Sequence, residues 1–122
     1  MRLWHIDLLM AAPQTVVELA TFERQAKAIM SDEERGAIVD YVAANPEAGV
    51  PLGGGLRKLR VAREGGGKSS GYRTLFVFGG VHVPLFLVGV FAKNVKGNLS
   101  KAEQAHLVQL AKTLLATYGE KR

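Results

Sequence analysis

The residues with the clearest chemical purpose lie between Leu56 and Arg73, in the stretch LRKLRVAREGGGKSSGYR. Arg57, Lys58, Arg60, Arg63, Lys68 and Arg73 stand there against one acid, Glu64. That excess equals the formal net charge of the whole chain, +5, because the other ten Lys/Arg and ten Asp/Glu cancel. The positive field is therefore concentrated on one segment, which is what a binder of a polyanion needs. Lys58 and Arg60 alternate with apolar Leu59 and Val61, so on a strand they project together from one face. Arg73 opens the following strand and can approach them across a ladder. Its planar guanidinium can grip two phosphate oxygens. The glycine run between the strands carries Lys68, and backbone N–H groups there can come close to a phosphate. Tyr72 offers a ring on which a nucleobase could stack, and is equally suited to a core position. A charge run is also what a solvated face looks like, so the shared face and the adjacent Arg73 are what favour binding.

The elements that must position these side chains can be read in order. Thr15–Leu19 is short and β-branched and predicts a strand. A helix then starts near Thr21, with Phe22, Ala26, Ile29 and Met30 at helical spacing. Ser31 and Glu34 form a capping box for a second helix, whose apolar stripe is Ile38, Val39, Val42 and Ala43 and which Asn45-Pro46 ends. Glu47–Gly55 reads as a loop. Leu56–Arg63 and Gly71–Phe78 read as strands joined by the glycine loop. Pro84–Lys93 is almost wholly apolar and predicts a central strand covered on both faces. Ser100 and Glu103 form a second capping box. Leu107, Leu110, Ala111, Leu114, Leu115 and Tyr118 then mark an amphipathic C-terminal helix. The order β-α-α-β-β-β-α predicts an α+β fold: a mostly antiparallel four-stranded sheet, an N-terminal helical hairpin and a C-terminal helix.

The 122 residues, 48% hydrophobic, suit a single domain. It is expected to span residues 15–122, with 1–14 as an extension. Met1–Pro13 bears a faint likeness to a secretion signal, broken by Asp7. No apolar run approaches the roughly 18 residues of a membrane span. With no cysteine there are no disulfides and no thiolate metal sites. His5, His82 and His106 are scattered without ligand spacing, so no metal or other cofactor is expected. Ala62–Ser69, AREGGGKS, fits a relaxed phosphate-loop pattern, but strand-like residues follow where a helix would be needed. Asp32, Glu33 and Glu34 sit in the first turn of a capped helix, where the macrodipole favours acids.

At these residues a resemblance emerges. GGLRKLR, VAREGGGKSSGYR, the AKN of Ala92–Asn94, the LSKAE of Leu99–Glu103 and the ANPEAG of Ala44–Gly49 together resemble the RelE/HigB family of bacterial toxins, in its HigB-like branch. The likeness runs from about Val16 to Leu115. It implies a RelE-like fold and a metal-independent endoribonuclease of a toxin–antitoxin pair. Such a protein works in the cytoplasm, cuts mRNA in the ribosomal A site, and is neutralised by an antitoxin, often of helix-turn-helix type. By motif the resemblance makes Lys58, Arg60, Arg73 and Lys93 the catalytic set. Arg57, Arg63, Lys68, Tyr72 and Asn94 are then RNA-binding candidates. Asn94 stands where RelE-type members carry an arginine, and no tyrosine lies near Leu99–Ser100, where some members have a catalytic one. Lys58 or Lys93 is left as candidate general base or acid, since crowding by like charge eases loss of a lysine proton. A gyrase-directed toxin of the ParE type, a non-catalytic nucleic-acid-binding module and a degenerate toxin are the rival readings.

Overall fold

The computed structural model describes residues 13–62 and 71–119. The elements are β1 (Val16–Glu18), α1 (Ala20–Ile29), α2 (Asp32–Ala44), β2 (Val50–Gly53), β3 (Leu56–Val61), β4 (Tyr72–Val77), β5 (Leu85–Ala92) and α3 (Lys101–Gly119). The strands form one mixed sheet in the order β1-β5-β4-β3-β2. β1 runs parallel to β5, and all other neighbours are antiparallel. The α+β class, the helical hairpin and the C-terminal helix are as the sequence predicts.

The sheet has five strands rather than four. Val50–Gly53, expected as loop, pairs with Leu56–Lys58. Four residues containing Pro51 show no usable periodicity, but an edge strand tolerates a proline. The pairing is made by a two-residue turn, Gly54-Gly55, in which both residues have positive φ (65° and 96°). That is the backbone a tight hairpin with right-twisted strands requires.

Both predicted capping boxes are present. Ser31 Oγ accepts from Glu34 N–H at 3.1 Å while the Glu34 carboxylate accepts from Ser31 N–H. Ser100 and Glu103 repeat the exchange at the start of α3. The α2 stop is also local, since Asn45 donates to the Tyr41 carbonyl from its backbone and its side chain.

Two apolar layers hold the sheet. On one face Phe22, Ala26, Ile38 and Val42 of α1 and α2 bury Leu59, Tyr72, Phe76, Leu87 and Val90. On the other, the α3 stripe of Leu107, Leu110, Ala111, Leu114 and Leu115 covers Leu56, Leu75, Val77, Phe86 and Val88. Each fully buried large side chain contributes about 1.5–3 kcal/mol by leaving water. The β4–β5 register shifts at Leu75/Phe76. Beside this irregularity Gln25 reaches across from α1 and accepts from Val90 N–H at 2.9 Å. No helix among the described residues is long and apolar enough to cross a membrane.

Candidate nucleic-acid interface and active site

The alternation of β3 sorts its side chains between the two layers. Leu59 and Val61 join the layer under α1 and α2. Leu56, Lys58 and Arg60 share the opposite face. Along that face Leu56 is fully buried in the α3 layer, Lys58 is half-buried and Arg60 is exposed. The strand thus emerges from the apolar layer, and its cations occupy the emerging end.

β4 brings the next cation to the same end. Arg73 lies directly opposite Arg60, and Lys58 lies opposite Leu75. Lys58 and Arg73 are therefore diagonal neighbours, a separation of about 7–8 Å that long side chains bridge. Like charges opposite one another in a ladder are destabilising. Arg73 is half-buried, and its Nη1 is shielded from solvent with no hydrogen-bond acceptor among the described residues. A cationic donor that is dry and unsatisfied costs free energy unless an anion completes it. Gly71, before Tyr72 and Arg73, is also demanded by packing, because a Cβ there would lie 2.6 Å from the Val61 carbonyl oxygen.

β5 and the loop after it complete the neighbourhood. Phe91 pairs with Arg73. The Lys96 ammonium sits 5.8 Å from the Phe91 ring centroid and is ion-paired with Glu103. The hydrogen bond from Lys96, and then the Ser100 backbone N–H, hold the Glu103 carboxyl below its ordinary range. Lys58 Nζ donates to Asn98 Oδ1 at 3.1 Å. The Lys93 backbone N–H donates to the Gly71 carbonyl, so the turn bearing Lys93 and exposed Asn94 lies beside the start of β4.

The structure therefore brings Lys58, Arg60 and Arg73 to one face and the Lys93–Asn94 turn to the same end of the sheet. Two RNA-binding candidates are placed away from this face. Tyr72 is 1% exposed and belongs to the core under α1 and α2, so its ring offers no stacking surface. Its hydroxyl donates to the Ile29 carbonyl at 3.1 Å and lies beside the Glu34 carboxylate. Of its two readings, the core role applies, because the residue before Arg73 on a strand must face the other way. Arg57 falls on the wrong face for the same reason. Its guanidinium donates to the carbonyls of Ala48 (2.9 Å), Glu47 (2.6 Å) and Gly49 (3.3 Å), fixing the turn before β2. Arg63 and Lys68, with the phosphate-loop-like run, lie outside the described residues, as do Met1–Ala12. A strand, Tyr72–Val77, follows that run where a phosphate loop would need a helix.

Phe91, Lys96, Asn98 and Glu103 were not singled out by sequence reasoning for this site. The capping box flagged Glu103 for a structural reason only, and nothing periodic marks the other three. A groove of ≈ 550 Å³ runs between α2 and β3, past Glu33, Glu34, Ile38, Tyr41 and Leu59, and the side chain of Arg60 borders it too, so Arg60 sits where the two sides of the sheet meet. Among the described residues no group of acidic or histidine side chains is placed to hold a metal ion.

The comparison with known families agrees with this architecture. Residues 14–121 match the family described as the RelE toxin of the RelE/RelB toxin–antitoxin system. The match takes in every element of the sheet and all three helices. The chain belongs to the RelE toxin family and is the toxin partner of a toxin–antitoxin pair.

Proposed function

We propose that this toxin is an endoribonuclease that cleaves mRNA on the ribosome, with Arg73 gripping the scissile phosphate. The observation that carries the reading is the buried Nη1 of Arg73, which has no acceptor among the described residues, on a residue directly opposite Arg60. A structural arginine would have been given a partner, as Arg57 is. An RNA phosphate supplies the missing acceptor and offsets the like-charge pairing.

The chemistry needs little more than placement and charge. The 2′-hydroxyl attacks the adjacent phosphorus in line. The O2′–P bond forms, the P–O5′ bond breaks, the 2′ proton passes to a base, and the leaving 5′ oxygen takes up a proton. Arg73 and Arg60 stabilise charge on the phosphorane, where positioned cations act most strongly. Lys58, diagonal to Arg73, and Lys93, beside the start of β4, are the candidates for proton transfer, since an arginine does not give up its proton in proteins. No metal is called on in this scheme. The ribosome positions the mRNA, so activity on naked RNA is expected to be weak. The antitoxin, of helix-turn-helix type in this reading, blocks entry to the A site, and the setting is the cytoplasm.

The test is a cell-free translation extract with primer extension on the mRNA. Wild-type protein should cut at discrete codons, only with ribosomes present, and Arg73→Ala should not cut. Intact mRNA with the wild type would sink the reading and send attention to gyrase supercoiling. Full activity in both Arg73→Ala and Lys58→Ala would remove the assignment of these residues.

A further inference from the structure

The loop between β5 and α3 reaches back over the cationic face, and it treats two lysines differently. Lys96 is paired with a carboxylate, that of Glu103. Lys58 is held by a neutral amide, that of Asn98. A carboxylate cancels the charge it orients, whereas an amide oxygen orients an ammonium and leaves its charge in place. A face that must meet a phosphate keeps its cation only by the second arrangement.

We propose that Asn98 is a positioning residue for Lys58, holding the ammonium ready over the face that carries Arg60 and Arg73; this rests on the ribonuclease reading. The amide's orientation is fixed by its partners. Asn98 Oδ1 accepts from Lys58 Nζ at 3.1 Å and from the Leu99 backbone N–H at 2.9 Å. Both partners are donors, so the atom facing them must be the oxygen. The loop itself is fixed at both ends. The backbone N–H groups of Val95 and Lys96 both donate to the Ala92 carbonyl at its start. The Lys96–Glu103 pair, the Ser100–Glu103 capping box and the packing of Leu99 in the α3 layer hold its end. A free lysine samples many rotamers, and the entropy of ordering it would otherwise be lost during the reaction. Asn98 transfers that ordering to folding.

The experiment is single-turnover mRNA cleavage in the ribosome-containing extract, with matched thermal unfolding to confirm folded variants. Asn98→Ala should lower the rate constant roughly tenfold, the effect of losing one orienting hydrogen bond, at an unchanged half-saturating concentration. Asn98→Asp, which keeps the oxygen but pairs Lys58 with a carboxylate, should lower the rate at least as far as Asn98→Ala, and a wild-type rate in Asn98→Asp would overturn the claim that the neutral amide matters. In a Lys58→Ala background Asn98→Ala should have no further effect, because the two act as one unit. Wild-type rates in Asn98→Ala, or the same loss with and without Lys58, would overturn the proposal while leaving the ribonuclease reading intact. A second measurement stands apart from cleavage. The ¹H–¹⁵N signal of the Lys58 ammonium should be visible at low temperature in the wild type and lost in Asn98→Ala. Its absence from the wild type overturns the proposal. A wild type that cleaves nothing overturns the ribonuclease reading, and the ammonium signal then still decides whether Asn98 holds Lys58.

Discussion

Arg57 and Arg73 sit on adjacent strands of the same hairpin, yet their surroundings are opposite. Arg57 faces the layer of α1 and α2, and its guanidinium is answered by the carbonyls of Glu47, Ala48 and Gly49. Arg73 faces the α3 side, where a buried nitrogen has no acceptor among the described residues and another arginine stands across the ladder. One is a fastener for the turn before β2. The other keeps a buried donor with no acceptor among the described residues, which is what the proposed phosphate contact would complete. The same contrast divides Tyr72, locked into the core with its hydroxyl on Ile29, from Lys58, held by an amide at the rim. Charge kept to one end of an otherwise apolar face lets the cations and the core be changed separately.

The sharpest test of that division is Arg73→Ala. Loss of a preorganised charge at a transition state costs on the order of 10²–10³ in rate. Cleavage should fall by that much while the unfolding midpoint in urea stays at or above that of the wild type, because an unsatisfied buried group has been removed. A large drop in stability would erase the distinction between the two arginines. Arg73→Lys should not restore cleavage, since an ammonium cannot make the bidentate grip.

Mutations on the other face should show the reverse. Arg57→Ala leaves three carbonyls without their donor and should cost about 1–3 kcal/mol of stability, with cleavage by the folded fraction close to wild type. Tyr72→Phe removes one hydroxyl from a packed ring and should cost about 1 kcal/mol, again without loss of cleavage. Chemical denaturation read beside primer extension checks both. If Tyr72→Phe impaired cleavage at unchanged stability, the tyrosine would have to be returned to the RNA face.

The smallest effect concerns the loop that serves the charged face. Glu103 has its carboxyl pKa lowered in the folded state, by the Lys96 hydrogen bond first and the Ser100 N–H next. A depressed folded value means that its stabilisation is fully present above the ordinary carboxyl value of 4.5 and is lost as pH falls through the lowered one. Thermal unfolding from pH 7 downward should therefore show a small extra loss in the wild type that Glu103→Gln lacks. Equal slopes for the two proteins would show that the pair adds nothing in solution, as many exposed ion pairs do.

Much of this architecture was legible because it is written in local signals. The capping boxes at Ser31 and Ser100 act within a single turn, so their spacing is enough to read them. The alternation of β3 placed Lys58 and Arg60 on one side, because a strand's side-chain period is 2 whatever it packs against. The same rule, applied one residue either way, removes Arg57 and Tyr72 from that side, and it needed only the knowledge of which face each helix covers. The strand at Val50–Gly53 was not legible, since four residues with a proline carry no period and are ordered by their partner.

What the sequence by itself determined is the inventory: a net positive charge concentrated in Leu56–Arg73, and the order of the helices and of every strand but β2. Only the tertiary structure decided the pairing of Arg60 with Arg73, the burial of Arg73 Nη1 and the arrival of Asn98 at Lys58. Propensity and period act over a few neighbouring residues. Register and desolvation depend on contacts between residues as far apart as Lys58 and Asn98, forty positions along the chain, and these exist only once both layers of the sheet are packed.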